Sequence, residues 1–185
     1  MKTSYEIEIA GVSRKLSLFP INDTMKIAGF IMFGDTEITV ASAKELLKIA
    51  PDFDVIITAE SKGIPLAYEM ARQSGKDYIV ARKGAKLYMS DVITVEVESI
   101  TTDNKQILCL GHAEKELMNG RRILVVDDVV STGESLNALI TLVHEVGGNV
   151  VGKMAVLAEG DAIGRQDITY LSPLPLFDSE GNPIE

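Results

Sequence analysis

Residues 123–135, ILVVDDVVSTGES, constrain this chain more than any other stretch. Four apolar residues suited to a buried strand run into two adjacent carboxylates, Asp127 and Asp128, and then into a small-residue turn that opens a helix. Elsewhere apolar runs alternate with helix-period segments. That alternation predicts an α/β chain with an open, mainly parallel twisted sheet flanked by helices. Ligands of such sheets bind beyond the carboxyl ends of the strands, where this string puts its acids and its turn.

The turn has the chemistry of an anion cradle. Ser131, Thr132, Gly133, Glu134 and Ser135 offer hydroxyls and backbone N–H groups with little obstruction, and the helix dipole adds roughly half a positive charge there. The two aspartates repel phosphate and suit other work: accepting hydrogen bonds from neighbouring sugar hydroxyls, or helping to hold a metal. Together the two halves describe a site for a ribose 5-phosphate. The competing reading is a plain helix capped by Ser131 or Thr132 beside solvated acids. A Walker loop is excluded, because no Gly-Lys-Ser/Thr occurs in the chain.

Around this string the periodicities predict further elements. Ser42 and Glu45 form a candidate capping box for a short helix ending near Pro51. Residues 54–59 read as a buried strand, followed by a loop and a helix that buries Ile64, Ala67, Tyr68 and Ala71 and stops at Gly75. Residues 78–81 are the next strand. Residues 92–98 alternate with period two, as in a half-exposed strand of a hairpin returning through 106–110. The most convincing central strand is 122–126. Leu136, Leu139, Ile140 and Val143 then mark a helix ending at Gly147, and 150–157 is another buried strand. Residues 172–177, broken by two prolines, are expected to be irregular.

Composition narrows the function classes. A net charge of −9 argues against nonspecific nucleic-acid binding. The single cysteine, Cys109, excludes an internal disulfide framework and a cysteine-built zinc site, and His112 and His144 alone do not make a metal cage. No apolar run approaches the ~18 residues that span a bilayer, and the opening residues are not a signal peptide. The expectation is a soluble, cytoplasmic, globular chain.

The string at 123–135 resembles, position for position, the phosphoribosyl pyrophosphate signature of type I phosphoribosyltransferases, and the resemblance extends over roughly residues 54–160. It implies that fold, with a core of about 51–160 and a small hood from 1–50 and 165–185, as a single domain spanning 1–185. Residues 58–65, TAESKGIP, look like the pyrophosphate loop of the purine branch, which often carries an unusual cis peptide. The implied pyrophosphate contacts are Glu60, Ser61, Lys62 and Gly63, joined by the cluster Arg82, Lys83 and Lys86. Gly63 lets the backbone approach closely and the cations compensate a tetra-anionic donor. Without the resemblance, the first is an ordinary turn and the second a solvated charge run.

The same resemblance makes residues 88–105 a mobile hood loop that closes over the reaction and excludes water. Glu98 is its candidate for handling the base proton, although the Tyr-Gly that usually follows is replaced by Ser99 and Ile100. Mg²⁺ is the implied cofactor, bridging pyrophosphate and ribose oxygens, with Asp127 and Asp128 its indirect partners. The implied reaction transfers the 5-phosphoribosyl group from phosphoribosyl pyrophosphate to a purine base, with Asp127, Asp128 and Glu98 as the catalytic set. A homodimer is expected from the family.

The base rests on finer points. Hypoxanthine-guanine enzymes of the common type carry an aspartate where this chain has Ser131. Xanthine enzymes place a lysine donor where this chain has Glu159. A carboxylate accepts, which suits the exocyclic amine of adenine better than a carbonyl. Val129 and Glu159 are thus the candidate base contacts, and adenine is favoured over hypoxanthine or xanthine. Phe19, Phe30 and Phe33 are available to stack on a purine, but each is expected in the core. An alternative is a regulatory domain that senses phosphoribosyl pyrophosphate without turnover, as in purine-operon repressors, which residues 97–102 also resemble. Such regulators add an N-terminal DNA-binding domain, and the residues before the first central strand show no basic recognition helix. An orotate or pyrimidine enzyme fits the loop spacings less well.

Overall fold

A computed structural model describes residues 1–97 and 106–184. The chain opens with β1 (Ser4–Ile9), β2 (Val12–Pro20) and β3 (Met25–Ala28), then α1 (Thr36–Ile49), β4 (Val55–Ala59), α2 (Ile64–Ser74) and β5 (Asp77–Ala81). The middle contains β6 (Ile93–Val97), β7 (Gln106–Leu110), α3 (His112–Met118), β8 (Arg122–Val130) and α4 (Glu134–Glu145). β9 (Asn149–Glu159), a 3-10 turn (Gly160–Ala162), β10 (Thr169–Leu174), β11 (Leu176–Asp178) and β12 (Pro183–Ile184) complete it.

Five strands form a wholly parallel sheet in the order β10-β9-β8-β4-β5. Their side chains alternate between two apolar layers, as period two requires. Ile56, Leu124, Val126, Met154 and Val156 face the layer shared with α1, α2 and the terminal strands. Val55, Ile57, Ile123, Val125 and Ala155 face the layer shared with α4 and Met118 of α3. Burial on both faces explains the unbroken apolar runs. After β4 the chain crosses one face through α2 to reach β5; after β8 it crosses the other through α4 to reach β9. The crevice between the β4 and β8 ends is therefore the topological switch point of the sheet.

The terminal segments are more regular than the sequence suggests. β1, β2, β3, β11 and β12 form a separate antiparallel sheet. Ala10 and Gly11, both at positive φ (53° and 78°), make the tight β1–β2 turn. β11 pairs with β3 through Phe177 and Lys26, and the Lys2 amide donates to the Glu180 carbonyl at 2.7 Å. Phe177 is fully buried, its ring centroid 5.0 Å from that of Tyr5. The expectation of irregular structure at 172–177 is thus overturned. Pro173 is tolerated because β10 is an edge strand, and Pro175 falls between β10 and β11, which belong to different sheets.

Three smaller expectations also change. α1 begins after Asp35, whose carboxylate accepts from the Ile38 amide at 3.2 Å, so the helix starts two turns before Ser42. Ser42 is buried inside it among Ile38, Ala43 and Leu46. α2 buries Leu66, Ala67, Met70 and Ala71, while Tyr68 is exposed and meets Tyr78 edge-on, because the Leu66–Met70 stripe lies one residue around the helix from the predicted face. Of the three phenylalanines, only Phe30 is in the core; Phe19 and Phe33 are about half exposed. The other predicted strands and helices are present, and β6 pairs antiparallel with β7 as expected.

Candidate functional site

The carboxyl ends of β4, β5, β8 and β9 bring most of the singled-out residues together. β8 continues through both acids to Val130, so Asp127 and Asp128 lie within the strand and not just past its end. Successive strand side chains diverge. Asp127 is half-buried and its Oδ1 accepts from the Asp128 amide at 2.9 Å. Asp128 is almost wholly buried, 1% exposed. Its Oδ2 has no hydrogen-bond partner among the described residues; Lys62 Nζ, at 3.2 Å, compensates it as an ion and not as an aligned donor. Burial, and then the charge of Asp128, push the Asp127 carboxyl well above the ordinary carboxylate range, with Lys62 opposing.

Two depressions adjoin along this strand end. One is lined by Asp127 and residues 129–136. There Gly133 is the N-cap of α4 at φ +85°, a conformation that glycine adopts without strain, and it makes no side-chain capping hydrogen bond. Neither Ser131 nor Thr132 is therefore the N-cap of α4. The first amides of a helix have no partner within it. Ser131, Thr132 and Ser135 are exposed around it, and Glu134 is half-buried.

The second depression is lined by Glu60, Ser61, Lys62, Lys83, Leu108, Asp127, Asp128, Val129 and Ser135, with Ala59 at its base. Asp127, Val129 and Ser135 border both. The Glu60–Ser61 peptide is cis, as the resemblance suggests. Gly63 lies so close to the strands that an added Cβ would stand 2.2 Å from Thr58 Oγ1 and 3.0 Å from Asp127 Oδ1. Close approach, not φ, is what this glycine provides.

The basic cluster divides. Lys83 reaches the second depression, and its amide donates to Glu60 Oε2 at 2.9 Å. Arg82 turns instead into a neighbouring groove with Tyr78, Tyr88 and Glu114, its Nε 3.4 Å from Glu60 Oε2. Its backbone exchanges hydrogen bonds with Cys109, tying the β6–β7 hairpin to the end of β5. Lys86 is exposed and borders neither depression. The Lys83 amide, and then the charges of Arg82, Lys86 and Lys83, hold the Glu60 carboxyl below its usual range.

Glu159, at the end of β9, is half-buried. Burial raises its carboxyl above the usual range; Lys62 opposes this and Asp128 adds to it, so Glu159 belongs to the same electrostatic neighbourhood. Glu98 lies outside the described residues, as does much of the predicted loop 88–105. Sequence reasoning gave no role of its own to Thr58, which opens the 58–65 motif, or to Arg165. Thr58 Oγ1 is buried without a partner among the described residues, behind Gly63. Arg165 lies against Gly133. A threonine in an apolar strand and an arginine in a distant loop carry no local signal.

The donor set also bears on a metal. Among the described residues no three acidic, histidine or cysteine side chains cluster to hold one. Two carboxylates fit Mg²⁺ that arrives with a diphosphate, because Mg²⁺ keeps several waters and takes one or two protein carboxylates beside phosphate oxygens. No helix among the described residues is long and apolar enough to cross a membrane.

A crevice at the switch point of a parallel sheet, beside the N-terminus of a helix, defines an open α/β domain with its candidate site where such sheets bind ligands. The phosphoribosyl transferase domain model matches residues 36–174, and the chain belongs to that family. The purine biosynthesis transcriptional repressor PurR of Bacillus subtilis (strain 168) is 29% identical over 126 residues, covering 68% of this chain and 43% of the repressor. An adenine phosphoribosyltransferase of Cenarchaeum symbiosum (strain A) is 38% identical over 113 residues, covering 60% of this chain and 64% of that protein. The chain thus spans less than two thirds of the length of either. The crystal structure of adenine phosphoribosyltransferase from Thermoanaerobacter pseudethanolicus superposes with a TM-score of 0.72 at 23% identity, covering 85% of this chain and 95% of that one, which bears on the fold.

Proposed function

We propose that this chain is a purine phosphoribosyltransferase that transfers the 5-phosphoribosyl group from phosphoribosyl pyrophosphate to a purine base, adenine favoured, in purine salvage. One observation carries the reading: α4 begins after Gly133, which caps it without a side-chain hydrogen bond, in a depression that Asp127 also lines. Free amides at that end suit the 5-phosphate, with Ser131, Thr132, Glu134 and Ser135 around it. Asp127 and Asp128 accept from the ribose hydroxyls. Glu60, Ser61, Lys62, Gly63 and Lys83 receive the pyrophosphate, with Arg82 and Lys86 nearby. The similarity to an adenine phosphoribosyltransferase at 38% identity supports the same reaction class.

In that reaction the bond from C1 to the pyrophosphate oxygen breaks, a base nitrogen bonds to C1, and the base gives up a proton. The transition state resembles an oxocarbenium cation, so the chain contributes mainly positioning and charge. In this reading Asp127 and Asp128 serve the developing positive charge, and Lys62 serves the leaving group as it becomes more negative. Mg²⁺ supplies charge neutralisation of the diphosphate when bound, held indirectly through Asp127 and Asp128. Glu98 is our candidate for the base proton. Val129 and Glu159 are our candidates for the base, with Glu159 accepting from an exocyclic amine.

We take residues 1–185 as one working unit, with the terminal sheet as a hood over the base site, and expect a cytoplasmic homodimer. The deciding assay incubates the chain with Mg²⁺, phosphoribosyl pyrophosphate and each base in turn and measures pyrophosphate release. Release with adenine supports the proposal, and release with hypoxanthine alone overturns the role of Glu159. Binding without release from any base favours a sensing domain, the second reading that the repressor similarity supports.

A further inference from the structure

We infer that Arg165 is a positioning residue for the 5-phosphate: its guanidinium, clamped by Asp167, braces the Gly133 turn and fixes a positive charge behind it. The inference rests on the transferase reading above and extends it to a residue outside the signature. The need for such a cation follows from the sequence. Residues 123–137 contain three acids, Asp127, Asp128 and Glu134, and no lysine or arginine. Within that stretch, a phosphate dianion entering the turn meets the partial charge of the helix end, roughly half a unit, and no full cation.

Arg165 supplies the missing charge from the loop before β10. Its Nε and Nη2 donate to the two carboxylate oxygens of Asp167 at 3.0 and 2.9 Å, and Lys153 Nζ donates to the same carboxylate at 2.7 Å. This two-pronged grip spends the fork on Asp167 and leaves Nη1 pointing elsewhere. Nη1 lies against Gly133, where an added Cβ would stand 2.6 Å from it. Gly133 is buried although Ser131, Thr132 and Ser135 around it are exposed. The guanidinium is what covers it.

Arg165 therefore acts on the depression lined by Asp127 and residues 129–136 through the glycine that caps α4. The clamp fixes the side chain in advance, so little further ordering accompanies ligand binding. A mere surface ion pair with Asp167 needs no contact with the turn, and that contact separates the two readings.

The experiment compares the unsubstituted chain with Arg165→Ala, Arg165→Lys and Asp167→Asn. It measures steady-state kinetics with phosphoribosyl pyrophosphate and adenine, and calorimetric binding of ribose 5-phosphate and of pyrophosphate separately. Arg165→Ala is expected to weaken ribose 5-phosphate binding and raise the KM for phosphoribosyl pyrophosphate by about 10- to 100-fold, with pyrophosphate binding nearly unchanged. Arg165→Lys keeps the charge without the fork and recovers part of the loss. Asp167→Asn frees the fork and shows a smaller loss of the same kind, which keeps the test open if Arg165→Ala fails to fold. Ribose 5-phosphate affinity unchanged in both the Arg165→Ala and Asp167→Asn chains overturns the assignment. Failure of the unsubstituted chain to bind ribose 5-phosphate overturns the transferase reading and this assignment with it.

Discussion

Lys62 Nζ stands 3.2 Å from Asp128 Oδ2, so the loop after β4 and the strand end of β8 are joined across the switch-point crevice. A buried carboxylate needs such a partner, yet Lys62 is itself half exposed. On the proposed reading, that cation is shared between the fold and the incoming pyrophosphate.

Replacing both acids tests their role in turnover. Asp127→Asn with Asp128→Asn is expected to lower kcat/KM by at least about 10²- to 10³-fold, while the circular dichroism spectrum is retained. Near-normal turnover in that double variant removes the diol role.

Asp127 also makes a prediction about stability and pH. Its carboxyl is raised in the folded chain, first by burial. The folded state thus takes up a proton more readily than the unfolded one, and stability falls as pH rises above the ordinary carboxylate value, about 4. Asp127→Asn lacks this loss. The variant is expected to melt higher than the parent at neutral pH, with the gap closing below about pH 4. A gap that widens on acidification contradicts the assignment.

Gly63 predicts a steric coupling. An alanine there meets Thr58 Oγ1 at 2.2 Å and Asp127 Oδ1 at 3.0 Å. Gly63→Ala is expected to cost about 1–3 kcal/mol through overpacking and to lower activity by displacing Asp127. Adding Thr58→Ala removes the worse clash, so a double-mutant cycle read by denaturant melts should show partial recovery. Strict additivity would place the strain elsewhere.

Glu159 predicts base preference. Glu159→Gln should narrow the adenine-to-hypoxanthine ratio of kcat/KM by about tenfold or more, and Glu159→Lys should move it toward 6-oxopurines. Unchanged ratios in both variants remove Glu159 from the base site.

Metal removal should separate catalysis from stability. With no three-ligand cluster among the described residues, a chelator is expected to stop turnover without lowering the Tm of the ligand-free chain. A drop in Tm on chelation would reveal a structural metal.

The parallel sheet was legible because its strands are buried on both faces: Val55, Ile57, Leu124 and Val126 must be apolar whatever ligand binds. The crevice was legible because Asp127, Asp128 and Gly133 are adjacent in sequence. What escaped notice depends on distant partners. Arg165 meets Gly133 from a loop 32 positions away. Arg82 and Lys83 look alike in sequence, yet a strand end sends them to different sides. Ala10 is a weak turn signal, so the β1–β2 hairpin went unseen. The prolines at 173 and 175 read as breakers because an edge position and a change of sheet are properties of the assembled molecule.

The pairing of β11 with β3 sets an order on synthesis. Strands β1 to β3 leave the ribosome early, but their partner across Lys26 and Met25 is Phe177 and Asp178. Until those residues clear the exit tunnel, the nascent hairpin carries an open strand edge, the kind of surface that chaperones guard against mispairing.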